Sequence, residues 1–150
     1  MIVRRDDVTS DAVLALLDLH LADMHANSPR EHVHALPGDA LRAPDIMVWT
    51  AWDGDELLGI GGLRCGDGMG EVKSMRTHPG HVRRGAGAAI LTQVIAEARA
   101  RGYTRLSLET GTGPRFEAGH ALYRRFGFVD GGPFADYQAN AFSRFMHLDL

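Results

Sequence analysis

Hydrophobic positions along the chain switch between helical and strand periods, and the switches mark out a mixed set of elements. Ile2 to Arg5 is a short extended segment before an Asp-rich turn. Thr9 or Ser10 supplies a helix N-cap, with Asp11 favourable in the first turn. Leu14, Leu17, Leu21 and Met24 then recur at helical spacing and predict a helix over about 11–25. The stretch 27–45 holds Pro29, Pro37 and Pro44; it reads as a loop that lines something, with room for a short helical turn. Ile46 to Trp52 and Leu57 to Arg64 are strands joined across Asp53-Gly54-Asp55, and Asp67-Gly68 separates them from a third strand, Glu71 to Thr77. Asp-Gly pairs are hairpin signals, so the three strands form an antiparallel meander.

The third strand breaks parity. Met75 and Thr77 share one face, whereas strict alternation sends Val72 to the other. Either the strand is buried on both faces or a bulge lies between Val72 and Met75, leaving backbone groups unpaired. A long helix follows from Gly85 to about Arg101, with an apolar stripe of Leu91, Val94, Ile95 and Ala98 and Gly102 as its terminator. Arg105 to Glu109 is a strand, Gly111 to Pro114 a turn, and Phe116 to Arg125 a second helix ended by Gly127. Phe128 and Val129 open a strand, Asp130-Gly131-Gly132-Pro133 interrupts it, and Phe142 to Leu148 closes the chain as a last strand. The pattern predicts a mixed α/β fold in a single domain over 1–150.

Composition narrows the function classes. The chain has 150 residues, 45% hydrophobic and 23% charged, which is ordinary for a globular domain. Its longest purely apolar run, Ala12 to Leu17, is far short of the roughly 20 residues of a membrane span. MIVRRDD runs into acid rather than an apolar core, so no signal peptide is expected. Cys65 is the only cysteine, which forbids an intrachain disulfide and fits a reduced, cytoplasmic setting. Net charge is −3, but residues 1–72 carry 5 Arg against 13 Asp or Glu, and the rest carry 11 Lys or Arg against 6. That asymmetry admits an anionic ligand on one half and a cationic one on the other, or unrelated helix faces.

The most informative stretch is Met75 to Ala89, MRTHPGHVRRGAGAA. A strand runs into a turn and then a glycine-interrupted helix start, where successive N–H groups and the helix dipole bind phosphate oxygens. Gly85 and Gly87 let a ligand approach the backbone, and Arg83 and Arg84 add positive charge. Close packing of a glycine-lightened helix start on the sheet explains the same residues without a ligand. No Gly-Lys-Ser/Thr follows, so this is not a P-loop, and the third glycine of a dinucleotide fingerprint is missing.

This order of elements, with Arg83-Arg84-Gly85-Ala86-Gly87 and then Ala121-Leu122-Tyr123-Arg124-Arg125-Phe126-Gly127-Phe128, resembles the GNAT superfamily of acyl-CoA-dependent N-acyltransferases. The resemblance covers most of the chain, and its specific part is about 71–129. It implies a meander followed by a strand–helix–strand unit, splayed central strands and helices on both faces of the sheet. It implies acetyl-CoA as acyl donor, with Met75, Arg76 and Thr77 along the pantetheine and N–H groups from Val82 through Arg83, Arg84, Gly85, Ala86, Gly87 and Ala88 to Ala89 on the pyrophosphate. The family tyrosine, which protonates the departing thiolate, falls on Tyr123. The pattern departs at Val82, where the family has Gln or Arg; Arg84-x-x-Gly87-x-Ala89 satisfies it one step out of register. Phe116 stands in place of the usual Asn and Gly119 in place of Ala, both at the pantetheine, with the loss of one side-chain contact.

Acyl transfer to an amine needs a neutral amine, a polarised thioester carbonyl and an acid for the leaving sulfur. An unpaired N–H at the bulge near Met75 can polarise the carbonyl, and Tyr123, with an ordinary pKa near 10, can donate the proton. Glu109, at the end of its strand, is the candidate base, directly or through water; a solvated strand-end carboxylate is the alternative. His34, Lys73, Ser74, Asp136 and Tyr137 are acceptor-pocket candidates, from HVHAL (32–36), KSMR (73–76) and GPFADY (132–137). Glu109 and Asp136 suit a cationic amine and Lys73 a carboxylate, so the expected partner is a small-molecule or amino acid-like primary amine.

Eight histidines, including His32 and His34 and the pair His78 and His81, are explained adequately by exposed loops, and no metal is expected. Nor is a nucleic-acid or membrane partner; a homodimer remains open. The rival reading is a CoA-binding sensor or interaction module without turnover, against which Tyr123 and Glu109 argue.

Overall fold

A computed structural model describes residues 1–34 and 36–150; Ala35, inside the 32–36 block, lies outside the described residues. Among the described residues seven strands form one sheet: β1 (Ile2–Arg5), β2 (Ile46–Asp53), β3 (Glu56–Cys65), β4 (Met69–Thr77), β5 (Arg105–Thr110), β6 (Val129–Gly131) and β7 (Arg144–Asp149). Their spatial order is β1-β2-β3-β4-β5-β7-β6. Only β4 and β5 run parallel; every other neighbouring pair is antiparallel. The expected meander is β2-β3-β4. The sequence pattern had not placed β7 between β5 and β6.

Helix α1 (Asp11–Asn27) packs on one face, while α2 (Ala86–Ala100) and α3 (Glu117–Arg125) cover the other. Ser10 caps α1 by accepting the Val13 N–H at 3.3 Å. The buried face of α1 is Val13, Leu16, Leu17 and His20, one step from the expected stripe; Leu14, Leu21 and Met24 are only half-buried. Leucine and alanine fall all round this helix, so periodicity alone could not fix its rotation. The stripe of α2 is as expected, with Leu91, Val94, Ile95 and Ala98 joined by Ala86 and Ile90. The 27–45 stretch contains two short 3-10 turns, Arg30–His32 and Ala40–Arg42.

Both faces of the sheet centre are covered, so β2 and β3 are apolar at nearly every position. Alternation divides them: Ile46 and Val48 face α1, whereas Met47, Trp49 and Ala51 face α2.

The parity break in β4 is a bulge. Ile60 pairs with Arg76 and Gly62 with Lys73, so Ser74 and Met75 together stand opposite Gly61. Ser74 takes a positive φ of 54°. The extra residue sends both Val72 and Met75 to the α2 face and leaves Lys73 and Arg76 on the α1 face. Gly61 makes room for this. A Cβ there would lie 2.4 Å from Met75 Sδ and 2.7 Å from Ile90 Cγ2.

The β4–β5 pairing lasts only from Met69–Arg105 to Glu71–Ser107. Beyond it the two strands part, opening the sheet at their C-terminal ends.

Gly61→Val should therefore overpack the α2 face beneath the bulge and destabilise the fold by about 1–3 kcal/mol. Urea unfolding would show this as a lower midpoint at unchanged slope.

Candidate active site

The gap between β4 and β5 is a cleft of about 460 Å³ that passes from the start of α2, past Tyr123, to Glu109 and the α1 side. One half is backbone-rich. The chain leaves β4, turns through a 3-10 segment at Pro79–His81 and enters α2 behind Gly85, whose φ of 83° makes the left-handed entry natural for glycine. Ala86, Gly87 and Ala88 then present the unpaired N–H groups of a helix start. Ala89 is different from the expectation: its N–H closes the first helical turn on the Gly85 carbonyl at 3.0 Å. Gly87 lines the cleft, and a Cβ there would approach Leu122 Cδ2 to 3.1 Å.

The basic pair separates. Arg84 is turned to the β2–β3 hairpin, where Asp53 and Glu56 hold its guanidinium. Arg83 is exposed and makes no ion pair among the described residues, so it is the one of the two that is free to meet an anion. Met75, Arg76, Thr77, Val82, Phe116 and Gly119 all line the cleft.

Tyr123 is reached by α3, which lies over the same face as α2. It is buried against Phe128, with ring centroids 5.8 Å apart, and lines the cleft. Burial pushes its phenol up to about 12, so it holds its proton throughout the neutral range.

The other half faces α1 and is polar. In β5, Leu106 and Leu108 point to the α2 core, which leaves Ser107 and Glu109 on the α1 side. Glu109 is pushed up to about 7, first by burial, against the opposing pull of a Ser143 hydrogen bond and the Lys73 charge. Lys73 and Glu71 are buried together, 8% and 7% exposed, with Nζ and Oε2 3.4 Å apart. Lys73 Nζ also donates to the His34 carbonyl at 3.3 Å and to the Tyr137 hydroxyl at 3.1 Å, and Tyr137 donates to Glu71 Oε2 at 2.6 Å. His34 and Tyr137 meet edge to face at 5.0 Å.

Toward α1, Arg76 pairs with Asp23 beside His20, whose imidazole is lowered to about 4 by burial and then by the Arg76 charge. Among the described residues, His20 Nδ1, Ser74 Oγ and Arg76 Nε are the buried side-chain atoms without a partner, and all three residues line the cleft.

The cleft thus gathers His34, Lys73, Ser74, Tyr123 and Glu109, with Tyr137 bonded to its wall. Asp136 is not among them. It is exposed, and the loop turns at Ala135, φ 49°, so that Tyr137 points inward instead. The sequence reading missed His20, Asp23, Glu71 and Phe142. His20 was hidden by the rotation of α1, and Glu71 looked like an ordinary strand start.

The profile of the acetyltransferase (GNAT) family matches residues 13–128. The chain belongs to that family. It is 46% identical over 149 residues to the "uncharacterized N-acetyltransferase YedL" of Escherichia coli, covering 99% of this chain and 94% of that one. It is 36% identical over 154 residues to an "IAA acetyltransferase" of Azospirillum brasilense, covering 99% and 97%. A solved structure from Klebsiella pneumoniae, named a "putative acyl-CoA N-acyltransferase", superposes with a TM-score of 0.79 at 26% identity, covering 99% of this chain and 97% of that one. The fold also matches a Bacillus subtilis acetyltransferase in complex with CoA, with a TM-score of 0.69 at 20% identity, covering 99% and 97%. The resemblance read from the sequence, and the mixed α/β fold it implies, are therefore borne out.

If the α2 start is the anion cradle, Gly87→Glu should place bulk and negative charge in it and abolish CoA binding by calorimetry. Gly87→Ala, whose Cβ meets the end of the Leu122 side chain and, at 3.8 Å, Thr77 Oγ1, should retain binding. Circular dichroism melts would establish that both variants fold.

Proposed function

We propose that this member of the family transfers the acetyl group of acetyl-CoA to the primary amine of a small molecule, by direct attack within a ternary complex. The observation that carries the reading is the bulged and splayed β4–β5 gap, which has an anion-competent helix start at one end and a carboxyl of near-neutral pKa at the other. CoA-bound relatives of the same fold, including an aminoglycoside 6'-N-acetyltransferase with a TM-score of 0.75, support the choice of donor.

In this reading the pyrophosphate sits at the N–H groups of Ala86 to Ala88 with Arg83 nearby. The pantetheine follows Met75, Arg76 and Thr77 down the gap. The thioester carbonyl accepts an N–H freed from the ladder at the Met75 bulge, which stabilises charge building on its oxygen.

Glu109 supplies the base. Above a pKa of about 7 it is ionised, attracts the ammonium and takes its proton, directly or through water. The amine nitrogen then bonds to the carbonyl carbon and gives its second proton to water, and the carbon–sulfur bond breaks with its electron pair on sulfur. Tyr123 hydrogen-bonds that sulfur and yields its proton as the thiolate forms; water restores the phenol. A phenol near 12 is a weaker acid than a free thiol at about 8.5, so its proton crosses only as solvent replaces it, and what Tyr123 itself supplies is the hydrogen bond to the charged sulfur.

Tyr123→Phe should lower kcat by about 10²–10⁴-fold with little change in acetyl-CoA affinity. Wild-type kcat in the folded variant would leave the tyrosine with packing alone.

For Glu109 the sign is set by its raised pKa. The ionised form is the active one, so kcat/KM should rise with pH through about 7, and Glu109→Gln should be slower and lose that limb. The folded state holds this proton more tightly than the unfolded chain does. Stability contributed by the protonated form is therefore lost as pH rises through about 7, and Glu109→Gln should melt no lower than wild type at pH 8. Thiol release across a pH series and melts at pH 8 read the two effects separately.

A further inference from the structure

The acceptor half of the cleft can be balanced charge by charge. Its side chains include two cations, Lys73 and Arg76, and three carboxyls, Asp23, Glu71 and Glu109. Arg76 is paired with Asp23. Lys73 is paired with Glu71, whose other oxygen lies 3.6 Å from Arg64, itself also beside Asp45; Lys73 Nζ donates to the His34 carbonyl and the Tyr137 hydroxyl. Of the three donors of the ammonium, two bond these oxygens, and the Glu71 carboxylate lies within ion-pair distance at 3.4 Å. The Lys73 charge is therefore already matched, which makes it a poor partner for the substrate carboxylate that the sequence suggested for it. Lys73 fastens the 27–45 and 132–143 segments to β4.

Glu109 is the carboxyl left over; among the described residues it makes no ion pair. Arg115, the remaining cleft-lining arginine, lies exposed on the rim next to α3. The cleft interior thus has one unmatched negative charge and no unmatched positive one; the free Nε–H of Arg76 calls for a hydrogen-bond acceptor, not for a further charge.

Beside Glu109 the wall is aromatic. Phe116 and Phe142 cross edge to face at 5.6 Å, and His32 stacks on Phe142 at 6.3 Å and 7°. All three line the cleft. The two phenyl rings close over Gly111, where a Cβ would fall within 2.6 Å of either. Rings in such a cluster offer flat apolar area to another ring.

We propose that the acceptor is an arylalkylamine without a carboxylate, its ammonium at Glu109 and its ring against Phe116, Phe142 and His32, because both interior cations are already neutralised by Asp23 and Glu71. This rests on the acetyl-transfer reading above and adds the substrate class. An α-amino acid with the same ring would bring its carboxylate beside Glu109, with no unpaired cation inside the cleft to meet it. Leaving a charged group unmatched in a half-buried site costs enough to lower kcat/KM about 10-fold or more.

Tyramine and tyrosine are a suitable probe pair, differing only in the carboxylate. With saturating acetyl-CoA, wild-type protein should favour tyramine by about 10-fold or more in kcat/KM. Glu71→Gln keeps the shape that Tyr137 bonds to but leaves the Lys73 charge uncompensated, and Asp23→Asn does the same for Arg76. Either variant should narrow the preference several-fold, and two variants guard against one failing to fold. Equal or better use of tyrosine by wild type would overturn the proposal, as would a preference that neither folded variant moves. Calorimetry on the CoA-loaded protein separates the two levels. Tyramine binding without thiol release would fault the transfer reading alone, whereas no tyramine binding would overturn the acceptor class.

Discussion

At Ser74 the backbone of β4 crosses into the left-handed region, and the functional half of the molecule is arranged around that crossing. A non-glycine residue in this conformation costs on the order of 1–3 kcal/mol and persists only where its surroundings hold it. Here they do. Met75 fills the space that Gly61 leaves beneath Ile90, Lys73 is tied to three partners, and Arg76 is held by Asp23. The bulge brings two consequences at once. It frees backbone groups from the β3–β4 ladder where a thioester would lie, and it separates the apolar side chains of β4 from the charged ones. With β5 paired to β4 for only three residues, the same strand becomes one wall of the cleft.

The two sides of the sheet then take different tasks. On the α2 side, Val72, Met75, Leu106, Leu108 and Tyr123 belong to or pack on the main core, and the cleft there is apolar with a helix start at its end. On the α1 side, Glu71, Lys73, Arg76 and Glu109 are set in a cleft that His32, Val33, His34 and Phe142 also line, with Tyr137 bonded to its wall. Three of these four are neutralised by neighbours at the residue level. Glu109 keeps its charge unmatched, and burial raises its pKa to the range where a base works at neutral pH.

Much of this was legible from local pattern. The bulge announced itself as a parity break between Val72 and Met75, because strand alternation is strict enough that an exception needs a cause. The α2 stripe and the glycine-led helix start were legible for the same reason: each is a repeat or a turn within one short window. What could not be read is long-range. Lys73 meets Tyr137 across 64 residues and Arg76 meets Asp23 across 53, and no local spacing encodes those pairings. The Asp136–Tyr137 choice is similar, since one positive φ at Ala135 decides which neighbour points inward. The rotation of α1 was lost to an even spread of leucine and alanine, and with it the placement of His20 in the cleft wall.

The central claim is that the bulged gap between β4 and β5 is where acyl donor and acceptor meet. A crystal structure of the complex with CoA tests it most directly. The account predicts the pyrophosphate at the start of α2, the pantetheine running beside Met75 to Thr77, and the sulfur within hydrogen-bond reach of the Tyr123 hydroxyl on the Glu109 side. A thiol ending outside the gap, with β4 and β5 closed against each other, would contradict it.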